Sequence, residues 1–481
     1  MQIRALQVIS SLLKNFSEIF SMVISSSNSV AKLRRNILLP IYWNYIRRLK
    51  TLHYYEKLRK IQWNTMEENR QIQRKKLYKM IKYASQNIPY YKRIIKEHNI
   101  QFTEDTIFVD IKKFPVLTKE IIRNHFNELY KFKDNTYYRN TSGGSTGEAV
   151  IFFQDKQYLE WANASKRLFN EWAGREPGEP MVKLWGSLRD ILRGGQGFKG
   201  YLRQQISGVT ILNSYKMSEK DMYEYVKRIN SIKPRLILSY TNSIDELARF
   251  SQKHGLSIYS PSAIMTSAGV LYPEVRARIK EVFRASVFNR YGSREVGDIA
   301  CNCEKNQGLH IIPNIHYIEI LDNRGKEVKA GEAGEIMITS LTNYTMPLIR
   351  YKIGDRGVLS EKECSCGRGF PLLEKVEGRI RSMFRNKKGD LIDSGVFIRL
   401  FYFRDNIKQF QVIQEALDQI TINVVLKDKQ KLKVVEKDFR EISEVIKPIM
   451  GNDTKVEYNI INEIKHSSSG KYMYTFSKIR N

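Results

Sequence analysis

The sequence predicts an α/β protein made of a large multilayer N-terminal domain and a small α+β C-terminal domain. Three observations carry that expectation. Between residues 140 and 370 short β-rich runs alternate with helical runs, the pattern of strands layered with helices. After residue 378 the pattern changes to strand, strand, helix, strand, within a stretch of common domain size. The 481 residues are 42% hydrophobic and 27% charged, the composition of a globular protein, and a chain of this length normally divides into domains. The divisions expected are a basic helical extension over 1–59, a large domain over 60–379 and a small domain over 380–481.

The first residues read as an amphipathic helix or a loose extension, because Lys14 and Glu18 interrupt the apolar stretches and no cleavage site follows. No run of about 18 uncharged apolar residues occurs, so a cytoplasmic placement is expected. Residues 1–80 hold sixteen Lys and Arg against four Asp and Glu, within a chain of net charge +29. Such a segment suits the inner face of an anionic membrane, or is simply a solvated basic face. No nucleic-acid-binding motif accompanies the charge, so no nucleic-acid partner is expected. Leu52, Tyr55, Leu58 and Ile61, and then Leu77, Ile81 and Ala84, recur at helical spacing, and Asn87-Ile88-Pro89 ends the pattern. Thr118 is placed to cap a following helix. Strands are expected at 150–153 and 235–240, with helices over 157–172 and 243–255. In the small unit, 409–414, 419–427 and 455–461 read as strands, around a charged helix near 433–446.

Residues 138–148 read Tyr-Arg-Asn-Thr-Ser-Gly-Gly-Ser-Thr-Gly-Glu and precede a β run. Glycines let backbone amides turn toward an anion and hydroxyls add donors, so Ser142, Gly143, Gly144, Ser145, Thr146 and Gly147 can wrap phosphate oxygens. No Lys follows as a Walker A site requires. Further motifs follow in order: Thr266-Ser267-Ala268-Gly269, Tyr291-Gly292-Ser293-Arg294-Glu295, Tyr351-Lys352-Ile353-Gly354-Asp355 behind Arg350, Glu377-Gly378-Arg379, and Ser469-Gly470-Lys471. An aromatic face suits a purine, a carboxylate suits a hard cation or two hydroxyls, and a flexible ammonium can bridge two anions.

This ordered set resembles the adenylate-forming superfamily, whose members activate carboxylates with ATP. Ile88-Pro89-Tyr90-Tyr91-Lys92, Phe114-Pro115-Val116-Leu117-Thr118-Lys119 and Ser239-Tyr240 are similar to its phenylacetate–CoA ligase branch, which includes CapK-type proteins of capsule and surface polysaccharide. The likeness runs from residue 60 to the end. It implies an adenylate-forming fold with a mobile small domain and ATP bound by the Ser142–Gly147 loop. It also implies Ser267, Ala268, Gly269, Tyr291, Gly292 and Ser293 around adenine, Asp355 on ribose, Arg379 on the nucleotide, Glu295 on Mg2+, and Lys471 as the mobile catalytic lysine. Ser382 stands where the family has a hinge Asp. Trp185, Tyr215, Tyr240 and Ser267 would line the acid pocket by family position. The reaction implied is acyl-AMP and pyrophosphate formation from a carboxylic acid, then transfer to a thiol such as CoA or to an amine. The alternative is a non-catalytic or adenylylating surface-polysaccharide protein on the same fold.

The four cysteines rule out a disulfide scaffold and stand as two C-x-C pairs. In a reducing compartment such pairs favour metal, and tetrahedral zinc takes S and N ligands. The CapK-like pattern points to Cys303, His310, Cys364 and Cys366, with Cys301 as a rival ligand, for a structural Zn2+.

Overall fold

A computed structural model describes residues 27–132, 137–141, 150–185, 198–214, 216–269, 271–322, 324–377, 383–401, 404, 406–427, 432–464 and 475–479. Its centre is an eleven-stranded sheet. In chain order the strands among these residues are β1 (Tyr137–Thr141), β2 (Ile151–Asp155), β3 (Met181–Leu184), β4 (Val209–Leu212), β5 (Lys216–Met217), β6 (Leu236–Tyr240), β7 (Ala263–Ser267), β8 (Ser286–Ser293), β9 (Gly297–Asn302), β10 (Leu309–Ile311), β11 (His316–Leu321), β12 (Ala333–Ser340), β13 (Tyr351–Leu359), β14 (Leu372–Glu377), β15 (Met383–Arg385), β16 (Leu391–Asp393), β17 (Ile407–Ala416), β18 (Gln419–Leu426), β19 (Lys455–Ile460) and β20 (Thr475–Ser477). The large sheet runs β11-β12-β13-β14-β10-β9-β8-β7-β6-β3-β4. From β4 to β8 the neighbours are parallel, and from β8 onward they are antiparallel.

The parallel half is covered on both faces, which is why its strands read as nearly continuous apolar runs. Leu236, Leu238, Met265 and Phe288 pack under the helix Lys156–Trp172, against Trp161, Leu168 and Phe169. The alternate residues Val182, Ile237, Ile264 and Val287 pack with Val226, Ile229, Leu247 and Ile279 from the helices Glu219–Ile232, Thr241–Lys253 and Pro273–Phe283. Over the antiparallel half lie the helices Met66–Asn87 and Pro89–Glu97, whose Leu77, Met80, Ile81, Ala84 and Tyr91 meet Ile318, Ile336, Ile338 and Tyr351. Thr65 and Glu68 close the first of these helices with a capping box, and Thr118 accepts from the Ile121 amide as expected. The helix that Thr118 caps runs Lys119–Asn124.

The C-terminal unit carries its own sheet, β19-β18-β17-β20, and its own apolar cluster under the helix Leu432–Met450. It also touches the larger body through backbone. The hairpin β15-β16 takes β5 as a third strand, pairing Leu391 with Met217 and Ile392 with Lys216.

The expected end of the N-terminal extension falls inside a continuous helix, Thr51–Ile61. That helix is core: Tyr55, Leu58 and Ile61 share the cluster beneath Lys156–Trp172, and the Lys50 amide donates to Glu160 at 2.8 Å. Leu58 is fully buried, so Leu58→Ala removes apolar contacts and leaves a cavity. The expected cost is about 2–5 kcal/mol in chemical denaturation followed by circular dichroism. A change below about 0.5 kcal/mol would mean that the helix is not part of the folded body.

Candidate active site

The antiparallel pair β1–β2 runs from Tyr137↔Asp155 to Thr141↔Ile151, and the Ser142–Gly147 segment connects these strands beyond that last pair. The base of the hairpin is fixed by side chains. Asp155 accepts from the Tyr158 amide at 2.7 Å, which caps the helix Lys156–Trp172, and from the Tyr344 and Thr345 amides at 2.7 and 3.2 Å. Asn343 donates to the Phe153 carbonyl at 2.8 Å. Gln154 donates to the carbonyls of Arg294 and Glu295 at 2.8 and 3.1 Å, so the hairpin is tied directly to the turn between β8 and β9.

That turn carries Glu295, which is 7% exposed. The Tyr351 hydroxyl donates to its carboxylate at 3.3 Å, and the Tyr291 hydroxyl donates to Asp355 at 2.9 Å. Each tyrosine thus serves the carboxylate of the other motif, across 56 and 64 residues of chain. Gly292 lets β8 and β9 run close together at this turn: a Cβ there would lie 2.7 Å from the Gly297 carbonyl oxygen. Burial and the nearby Asp298 and Glu295 charges raise the Tyr158 phenol beneath the same turn. Ser267 ends β7 and Ala268 and Gly269 follow it, with the Thr241 hydroxyl reaching the Ser267 and Gly269 carbonyls at 3.4 and 3.3 Å and Ala268 at φ +59°.

The start of β13 is held in place from outside the sheet. Arg350, at φ +50°, forms an ion pair with Glu319 at 3.1 Å and donates to the carbonyls of Lys112 and Phe114 at 3.0 and 2.6 Å. Leu117 bridges to Tyr351, and Tyr91 donates to the Pro347 carbonyl at 2.9 Å while accepting from Ile349. The Ile88–Lys92 and Phe114–Lys119 stretches therefore brace the strand that carries Asp355.

At the C-terminal ends of the parallel strands, where ligands of open α/β sheets gather, Tyr240, Ser267 and Arg290 stand in register. Trp185 lies against Tyr240 with ring centroids 4.0 Å apart, so two of the expected pocket residues do meet. Sequence reasoning missed Arg290. Its guanidinium is 5.9 Å from the Trp185 ring and pairs with Asp298 at 3.3 Å. Its place directly before Tyr291 was the available signal.

Cys303, His310, Cys364 and Cys366 form one cluster, with all four ligand atoms within 4.8 Å of one another. The Cys303 and Cys364 sulfurs are 3.5 Å apart and the Cys366 sulfur is 3.4 Å from His310 Nε2, spacings that a tetrahedral zinc with bonds of about 2.0–2.3 Å spans. His310 Nδ1 faces the Phe370 carbonyl at 3.3 Å, which orients Nε2 toward the sulfurs, and burial pushes the ring down to about 4, leaving it neutral. Cys301 is not in the group. It lies within β9 in the apolar cluster beneath Lys156–Trp172, and burial pushes its thiol up. Of the remaining expected residues, Ser142, Gly143, Gly144, Ser145, Thr146, Gly147, Tyr215, Arg379, Ser382 and Lys471 lie outside the described residues.

Residues 384–478 match the CapK C-terminal domain. Protein CapK of Staphylococcus aureus is 23% identical over 443 residues, covering 91% of this chain and 95% of that protein. Phenylacetate-coenzyme A ligase of Thermus thermophilus is 24% identical over 396 residues, covering 79% and 84%. A structure of 2-hydroxyisobutyryl-CoA ligase with 2-HIB-AMP and CoA in the thioesterification state superimposes with a TM-score of 0.56 at 20% identity, covering 85% of this chain and 90% of that one. The chain has the adenylate-forming CoA ligase fold. The sequence similarity to the phenylacetate–CoA ligases, joined to this fold, supports an ATP-dependent, AMP-forming ligase. Among the described residues no helix is long and apolar enough to cross a membrane.

Proposed function

We propose that the chain activates a carboxylic acid with ATP. A carboxylate oxygen attacks the α-phosphorus, the bond to the β-phosphate breaks, and acyl-AMP and pyrophosphate result. A thiol such as CoA, or an amine, then attacks the acyl carbon and releases AMP. The observation that carries this reading is the exchange of hydrogen bonds between Tyr291 and Asp355 and between Tyr351 and Glu295, which brings two distant motifs to one place. In this reading Tyr291 faces adenine, Asp355 accepts from ribose hydroxyls, and Ser142–Gly147, Ser267–Gly269 and Arg379 surround the nucleotide. Lys471 bridges the reacting anions, reducing their repulsion as they meet.

Glu295 suits a magnesium ion: its carboxylate is buried, and among the described residues no cationic side chain pairs with it. The ion would neutralise charge on the phosphates. The Cys303, His310, Cys364 and Cys366 set would hold a structural zinc with no open position, joining the β9–β10 hairpin to the segment before β14.

A place in capsule or surface-polysaccharide synthesis draws on the similarity to Protein CapK and its C-terminal domain. The basic first 80 residues suit the cytoplasmic face of an anionic membrane in that setting.

ATP–pyrophosphate exchange across aryl acids, amino acids and uronic acids tests the reaction. At least one acid should drive exchange, and Lys471→Ala, Glu295→Gln and Asp355→Ala should each lower it by about a hundredfold or more. If no acid exceeds the Lys471→Ala background, the ligase reading fails for that panel. Elemental analysis of the purified chain should give about one zinc, lost in Cys364→Ser/Cys366→Ser, whereas less than about 0.1 equivalents in the unaltered chain would remove the zinc assignment. Co-sedimentation with phosphatidylserine-rich vesicles should be strong at low salt, weak at high salt and reduced by neutralising Arg4, Lys14, Arg47 and Arg48. Equal binding to neutral vesicles would contradict an electrostatic membrane contact.

A further inference from the structure

The pocket end of the parallel strands carries more positive charge than its own carboxylates balance. Arg290 is 7% exposed, its Nη1 is 3.3 Å from Asp298, and its Nε finds no hydrogen-bond partner among the described residues. Alternation along the extended β8 puts Arg290 on the opposite face from Tyr291, so its charge is directed toward Trp185 and away from the Tyr291–Asp355 bond. Lys183 stands on β3 two residues before Trp185, whose amide continues the strand pairing to the Leu212 carbonyl, so the two side chains share a side by alternation. Among the described residues Lys183 has no ion pair, and neither does Lys166 on the overlying helix. Desolvation first, and then Lys166, Arg290 and Arg175, hold the Lys183 amine down at about 8, with Asp298 as the opposing charge. The Asp298 carboxylate is already engaged by Arg290, and among the described residues neither Lys183 nor Lys166 has an ion pair to offset its charge. A buried guanidinium with an unbonded Nε is costly unless an anion arrives to meet it, and the half-buried Lys183 amine, which feels its charge, has no ion pair among the described residues either.

We propose that the acid accepted here carries a second negative charge, with its ring or chain against the Trp185–Tyr240 pair and that second charge on Arg290 and Lys183. This deepens the ligase reading and rests on it for the role of the first carboxylate, which is the one activated.

Calorimetric titration of the full-length chain with matched acids tests the proposal without requiring turnover. The probes are phenylacetate against 4-carboxyphenylacetate, and cyclohexanecarboxylate against its 1,4-dicarboxylate. The dianion of each pair should bind about ten- to a hundredfold more tightly. Lys183→Met and Arg290→Met should each collapse that ratio toward one. Lys183→Met serves if the buried Arg290 variant fails to fold. Equal binding within the pairs, or a ratio unchanged in Lys183→Met, overturns the proposal. So does an equal loss for both members together with weakened ATP binding, which would assign these cations to nucleotide phosphates. Preferential dianion binding with no exchange activity for any acid would sustain the anion site while removing the ligase reading. Exchange with monoanions and no dianion preference would do the reverse.

Discussion

Two tyrosine hydroxyls, each bonded to a carboxylate in the other's motif, set the geometry on which the rest of the site depends. The strands involved, β8 and β13, are not neighbours: β9, β10 and β14 lie between them in the sheet. Backbone pairing therefore does not by itself bring Tyr291 to Asp355 or Tyr351 to Glu295. The hydroxyl bonds cross that gap, at about 1 kcal/mol each by ordinary hydrogen-bond values, with a further penalty if a buried carboxylate is left unpaired. Tyr351 is itself fully buried, so its hydroxyl has little freedom to move away.

A second tier of buried polar contacts holds these strands in position. Arg350 joins β13 to Glu319 and to two carbonyls of the 112–114 segment, with both charged side chains nearly inaccessible. A buried ion pair of this kind contributes little net stability against an apolar substitute, yet removing one partner is expensive. Its value lies in fixing where β13 begins, and hence where Asp355 falls. Gln154 does comparable work on the other side, joining the strand after the Ser142–Gly147 segment to the turn that carries Glu295. The Cys/His cluster lies at the end of β9 away from that turn, beside β10 and β14.

Much of the fold was legible because it follows local rules. The apolar strands of the parallel half, the Thr118 cap and the strand–strand–helix–strand order of the small unit all stand where periodicity and capping chemistry put them. The candidate site was legible only as separate motifs. Tyr291, Glu295 and Asp355 could be named from their motifs, but the bonds joining them span 56 and 64 residues and no local pattern encodes them. Arg290 with Asp298, Gln154 and Asn343 escaped notice for the same reason: each is an ordinary polar residue until a distant backbone group or charge gives it a role. The core role of the Thr51–Ile61 helix was hidden by the basic residues on its outer face. Cys301 and Cys303 differ because Cys301 lies within β9 in the apolar cluster, whereas Cys303 falls one residue beyond that strand.

A crystal structure of the chain with ATP and Mg2+ would put the convergence of these motifs to its sharpest test. The ribose hydroxyls are expected on the Asp355 carboxylate, adenine beside Tyr291 and the metal at Glu295. Nucleotide bound in another crevice, with Asp355 and Glu295 engaged by their tyrosines alone, would contradict it.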